Sequence, residues 1–165
     1  MKLSTFVPVL AICALLSFIS CSTENLNEEE ALNTELLAAP LAKPLETEIL
    51  ELLNEYRITN GMSALNNNST VKAVAFSHTD YMVEEDDVSH ANFFQRKQSL
   101  QENENAQVVS ENVAYGFTSA QSVVNAWINS PSHRNNIEGN YTHFDISAEQ
   151  NAEGDWYFTN IFIKK

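Results

Sequence analysis

Residues 143–163 read HFDISAEQNAEGDWYFTNIFI, and this stretch decides the fold class. Phe144, Ile146 and Ala148 alternate with Asp145, Ser147 and Glu149, a period of two that marks a strand. Asn151-Ala152-Glu153-Gly154 is turn-forming sequence, so the chain is expected to fold back as a hairpin. In the return limb Trp156, Phe158, Asn160 and Phe162 alternate with Tyr157, Thr159, Ile161 and Ile163. Apolar residues occupy both phases, which predicts a strand partly covered on both faces.

Upstream of this hairpin the period changes to that of a helix. Leu45, Ile49, Leu52, Leu53 and Tyr56 form one stripe, which Asn60-Gly61 terminates. After Asn66-Asn67-Asn68, read as turn sequence, Ser69 is the expected N-cap of a helix running from about Thr70 to Glu85. Val71, Val74, Ala75, His78, Tyr81 and Met82 are its expected buried stripe, and the acidic run Glu84–Asp87 is expected to unwind because it opposes the helix dipole. A short helix is expected from Asn92 to Leu100, and an extended segment from Val108 to Tyr115. Ser119 caps a further helix carrying Val123, Val124, Trp127 and Ile128, which Pro131 ends. Helices precede the hairpin rather than alternating with strands, so the class is α+β, with an antiparallel sheet packed on helices.

The N-terminal quarter differs in character. Lys2 precedes the fourteen-residue apolar run from Phe6 to Ile19, too short for a bilayer span of about 20 residues. A basic start followed by a short apolar stretch reads as a secretory signal over residues 1–20. The run ends Phe18-Ile19-Ser20-Cys21, which resembles a bacterial lipoprotein processing site with Cys21 as the lipidated residue. Residues 21–44 are acidic and end in Pro40 and Pro44, the composition of a linker, which leaves residues 45–165 as the folded domain. With Cys13 in the signal and Cys21 lipidated, the mature chain would have no thiol chemistry.

Charge removes further classes. The 165 residues carry 22 acidic and 9 basic side chains, a net charge of −13, which argues against a nucleic-acid partner. Four glycines and no GxxxxGK or GxGxxG string leave no phosphate-cradling loop.

Histidines and one carboxylate carry the remaining chemistry. His90 and His133 fall in loop or junction sequence, where sites sit. His143 opens a strand, and His78 lies on an apolar helix face, where a satisfied core histidine is the simpler reading. Glu111 interrupts the apolar segment VVSENVAYG, and a buried carboxylate there requires a partner. That partner could be His90 or nearby backbone, and Arg134 and Asn135 could hold the adjoining loop by capping carbonyls.

Several strings resemble the CAP superfamily, or SCP domain, in its bacterial branch: Leu53-Asn54-Glu55-Tyr56-Arg57, His78-Thr79-Asp80-Tyr81-Met82, Ser89-His90, Ser110–Gly116 (SENVAYG) and Val123–Ile137 (VVNAWINSPSHRNNI). The resemblance covers roughly residues 45–165 and implies a three-layer α-β-α sandwich. It also implies a cleft lined by His90, Glu111, His133 and Ser130. The family's second glutamate would fall soon after Trp127, where this chain has Asn129-Ser130. His90 and His133 are then the implied metal ligands, for an ion such as Zn²⁺ rather than an oxygen-seeking Ca²⁺, and Glu111 the implied base or water-orienting group.

Two functions from different classes follow. One is a lipid-anchored module of the cell envelope, at the outer membrane and facing the periplasm or the surface, that binds an ion, a small ligand or an envelope component. The other is a metal-assisted, peptidase-like hydrolase using His90, His133 and Glu111.

Overall fold

The computed structural model describes residues 38–165. The signal-like run, Cys21 and the linker up to residue 37 lie outside the described residues.

Strand β4, Trp156–Lys164, is the axis of the domain. It pairs antiparallel with β3 (His143–Gln150) on one side and β2 (Val108–Tyr115) on the other. The Asn151–Gly154 turn closes the hairpin through a Gly154 N–H to Asn151 carbonyl bond of 3.1 Å, with Gly154 at φ 90°, where glycine carries no steric penalty. The sheet order is β1-β3-β4-β2, where β1 (Asn66–Asn67) runs parallel to the start of β3. That parallel strand adds to the antiparallel three expected from the hairpin. Its asparagines give no strand signal of their own, and the pairing is made by residues 76 positions away, as in the Asn66 N–H to Thr142 carbonyl bond.

Five helices cover the sheet: α1 (Pro44–Thr59), α2 (Ser69–Glu85), α3 (Phe93–Glu104), α4 (Ala120–Asn129) and α5 (Pro131–Ile137). Alternation along β4 decides what each face meets. Phe158 and Phe162 join Phe144 and Ile146 of β3 against Ile49, Leu53, Val123 and Trp127 of α1 and α4. Ile161 and Ile163 point the other way, into Val71 and Ala75 of α2 and Leu100 of α3. The result is the expected three-layer α-β-α sandwich. Phe158 and Phe162 are fully buried, each worth about 1.5–3 kcal/mol of transfer free energy. The period of two in β3 conceals that both of its faces are covered, since Asp145 and Ser147 are buried as well.

Some local expectations shift by a residue or more. Asn68, not Ser69, caps α2, because its extended backbone lets Oδ1 accept from Val71 N–H at 2.9 Å while the Asp145 carboxylate takes its own N–H. The acidic run stays helical through Glu85 and leaves the helix at Asp86, which has φ 50° and accepts the Tyr157 hydroxyl at 2.7 Å. Helix α3 continues to Glu104, four residues beyond Leu100.

Both edges of the sheet are closed by side chains. Beyond the two residues paired with β1, the outer edge of β3 is met by Lys72, whose Nζ donates to the Ile146 carbonyl at 2.7 Å, and by Glu46, whose Oε1 accepts Ala148 N–H at 2.8 Å. Lys72 and Glu46 also pair with each other at 2.5 Å, both nearly fully buried. One comes from α2 and the other from α1, so the ion pair ties the two helical layers across the sheet edge. On β2, Asn136 Nδ2 donates to the Glu111 carbonyl at 3.1 Å and Trp127 Nε1 to the Val113 carbonyl at 3.2 Å. Unpaired edges invite association with other strands, and these bonds occupy part of each edge. Removing one partner of a buried ion pair strands the other, at a cost of about 3–5 kcal/mol. Glu46→Ala is therefore expected to lower the unfolding free energy of the full chain by about that amount in urea titrations, and adding Lys72→Met is expected to recover part of it. A loss below about 1 kcal/mol for Glu46→Ala would show that the edge is not held this way.

Candidate ligand cleft at the outer edge of β2

Glu111 sits opposite Ile161 in the β2–β4 register and so faces the α2–α3 layer. It is 5% exposed, in a strand whose other residues include Val109, Val113 and Ala114. An ionised carboxylate in that position needs several donors. Arg96 of α3 supplies a fork, Nε to Oε2 and Nη2 to Oε1, both at 2.8 Å. His90 Nδ1 adds a third bond to Oε1 at 2.8 Å. Burial pushes the Glu111 carboxyl up, but the bonds from His90 and Arg96, with the positive charge of Arg96, outweigh it and leave the group below the ordinary glutamate value.

The segment carrying His90 is clamped at each residue. His78 of α2, 2% exposed, bonds through Nε2 to the Ser89 carbonyl at 2.8 Å, and the same nitrogen lies 3.8 Å from Glu111 Oε1. Phe93 N–H closes a turn onto the His90 carbonyl at 3.1 Å, and Asn92 opens α3 from the left-handed region at φ 58°. Arg96 Nη1 takes the Ala91 carbonyl at 2.6 Å, while its guanidinium lies 5.9 Å from the centre of the Phe93 ring. His78 is thus the satisfied core histidine expected from the sequence, and it also borders the carboxylate. Burial, and next the charge of Arg96, hold its imidazole below the ordinary histidine value, so it is neutral at pH 7.

Asn112, one residue along β2, faces the opposite layer. Its Nδ2 donates to the His133 carbonyl at 3.1 Å and its Oδ1 accepts from Asn136 Nδ2 at 2.8 Å. Adjacent strand residues therefore secure loops from opposite faces, His90 through Glu111 and the start of α5 through Asn112. The His90 ring and the His133 backbone are thereby both held at the strand edge. Burial, and next the charge of His90, hold His133 below the ordinary histidine value. Ser130 ends α4 and opens α5, with its hydroxyl 3.2 Å from that of Ser132. Arg134 caps the Ile128 carbonyl at 3.0 Å as expected, whereas Asn135 is exposed and the loop-holding role falls to Asn136.

The sequence reading brought Glu111, His90 and His133 together and missed Arg96, Asn112 and Asn136. Among the described residues no three His, Cys, Asp or Glu side chains gather as a metal-binding set. Both Glu111 oxygens are committed to Arg96, so the present donors do not fit the three-ligand zinc site of a hydrolase. Elsewhere, an open groove of about 300 Å³ lies between α1 and α4, lined by Leu52, Tyr56, Val124 and Ile128 among others, in the layer that Glu111 does not face.

The family model of the cysteine-rich secretory proteins, CAP, matches residues 50–162, a span that contains every residue of this candidate site. The chain belongs to the CAP family. It is 31% identical over 124 residues to the uncharacterized membrane protein YlbC of Bacillus subtilis, covering 73% of this chain and 34% of that one. The chain thus spans a third of that curated relative's length. Among solved structures, an outer surface protein of Borrelia burgdorferi superposes with a TM-score of 0.67 at 21% identity, covering 78% of this chain and 99% of that one. An SCP-domain extracellular protein of Bacillus anthracis gives 0.64 at 21% identity, covering 76% and 45% of the two chains. A cysteine-rich secretory protein of Staphylococcus aureus gives 0.60 at 20% identity, covering 73% and 39%. These likenesses establish the CAP fold.

The lowered carboxyl has a pH consequence. A glutamate whose folded pKa lies below its unfolded one contributes stability above the unfolded value and loses it as pH falls through the folded value. Glu111→Gln is expected to be less stable than the wild type at pH 7, and the gap is expected to narrow as pH falls below the ordinary 4.5. Chemical denaturation of both proteins between pH 7 and pH 3 checks this, and a gap independent of pH would contradict it.

Proposed function

We propose that this CAP-family protein is a bacterial envelope lipoprotein, anchored through Cys21, whose domain binds a small ligand or an envelope component at the His90–His133 mouth. One observation carries the binding half: Glu111 is engaged through both oxygens by Arg96 and through Oε1 by His90, while the His90 side chain so held stays 53% exposed at the β2 edge. A general base works best with a pKa near the operating pH, and Glu111 is displaced in the opposite direction. That favours binding over the hydrolase reading, for which the carboxylate would have to take up a proton near the operating pH.

The location half is supported by the Ser20-Cys21 sequence and by relatives described as outer surface, extracellular and membrane proteins. Among the described residues no helix is long and apolar enough to cross a membrane. Residues 45–165 carry 17 acidic and 7 basic side chains, which repel anionic lipid headgroups and leave the lipid on Cys21 as the anchor in this reading.

Site-directed photo-crosslinking of the full chain in its own cells tests the reading. A benzophenone side chain at the exposed Ser132, beside His133, is expected to capture a discrete partner or ligand adduct that His90→Ala abolishes. The same group at the exposed Glu153 of the hairpin turn is expected not to capture it. Identical adducts from both positions, or none from Ser132, would count against a binding mouth. In the same cells Cys21→Ser is expected to move the protein out of the membrane fraction, and retention there would exclude the lipid anchor.

A further inference from the structure

The Arg96 guanidinium holds both ends of the bond that orients His90. Nε and Nη2 fix the Glu111 carboxylate at 2.8 Å, and Nη1 fixes the Ala91 carbonyl, next in the chain after His90, at 2.6 Å. The Glu111 Oε1 so placed can only accept, so His90 Nδ1 at 2.8 Å must donate. In a neutral imidazole one nitrogen donates and the other accepts. The Nδ1–H form therefore leaves Nε2, on the far side of the ring, as an unprotonated acceptor. The His90 side chain is 53% exposed, and Nε2 takes no hydrogen bond from the described residues.

We infer that Arg96 is a positioning residue that acts through Glu111 and the Ala91 carbonyl to lock His90 in its Nδ1–H form, so that the cleft receives ligands through an N–H or O–H donor presented to Nε2. This rests on the binding reading of the cleft and adds the chemistry of what it binds: with the ring in its neutral form, hydroxyl, amide or ammonium groups rather than carboxylates or phosphates. The acidity of the domain acts in the same direction, against anions. His78 is the second clamp, holding Ser89 on the other flank of His90, but it does not contact the His90 ring nitrogens and does not set the tautomer.

The test needs no ligand, so it stands or falls separately from the binding reading. Full chain labelled with ¹⁵N-histidine is studied by two-bond ¹H–¹⁵N correlation at pH 8, with His90 assigned by its loss in His90→Gln. In the wild type Nδ1 is expected to be the protonated nitrogen and Nε2 the bare one. In Arg96→Gln the preference is expected to fall by about tenfold or more, the scale of losing a charge-assisted network. Arg96→Lys, which keeps the charge but cannot fork, is expected to fall between the two and serves if Arg96→Gln is unfolded. A merely structural Arg96 would lower stability and leave the tautomer of the folded fraction unchanged. That result in either variant, or a wild-type His90 protonated on Nε2, overturns the inference.

Discussion

A carboxylate buried in an apolar strand is the constraint around which this CAP domain is arranged. Glu111 could not stay ionised at 5% exposure without donors, and those donors come from α3 and from the segment between α2 and α3. Satisfying the charge therefore fixes the start of α3, the path of residues 89–91 and the orientation of His90 together. Asn112 does the equivalent work on the other face with neutral hydrogen bonds to α5. Two consecutive residues of an edge strand thus set the separation of two loops that share no sequence neighbourhood.

The opposite edge of the sheet follows the same logic with different groups. Glu46 and Lys72 satisfy each other and the unpaired backbone of β3, joining α1 to α2. A third cation, Arg57, pins the exit of α5 by donating to the carbonyls of Ile137 at 2.5 Å and Gly139 at 3.0 Å. A Cβ on Gly139 would stand 2.1 Å from the Tyr141 ring, so a side chain there requires that ring to move. Buried ionic groups seldom add net stability over a well-packed apolar substitute. Their effect here is to hold one arrangement of loops at the two strand edges, and one of those edges carries His90.

What could be read from the sequence follows the range of each interaction. The hairpin of residues 143–163, the β2 strand and the Ser119 cap depend on neighbours within a few positions, and all three form as expected. Strand β1 depends on residues about 76 positions away, so local pattern gives no sign of it, and the Asn68 cap, whose bond to Val71 is local, is presented by backbone that Asp145 holds from 77 positions away. Glu111 announces itself as a charge among apolar residues, yet its main partner lies fifteen positions earlier in the helix FFQRKQSLQENE. In that helix Phe94 is 73% exposed while Arg96 is buried, the reverse of what hydrophobicity alone suggests. His78 reads as core because it is core, and only the fold shows that it also borders the carboxylate.

The family resemblance supplied the pairing of His90 with His133, which no spacing in this chain gives by itself. The structure changes the chemistry attached to that pair. The glutamate is held by a guanidinium fork and an imidazole, and in the proposed reading it orients His90. The most direct measurement of that claim is a double-mutant cycle on folding stability with Arg96→Ala, Glu111→Ala and the double variant. A coupling energy of about 2–3 kcal/mol is predicted, the upper range for residues in contact within one network. A coupling below about 0.5 kcal/mol, the range of independent sites, would contradict it.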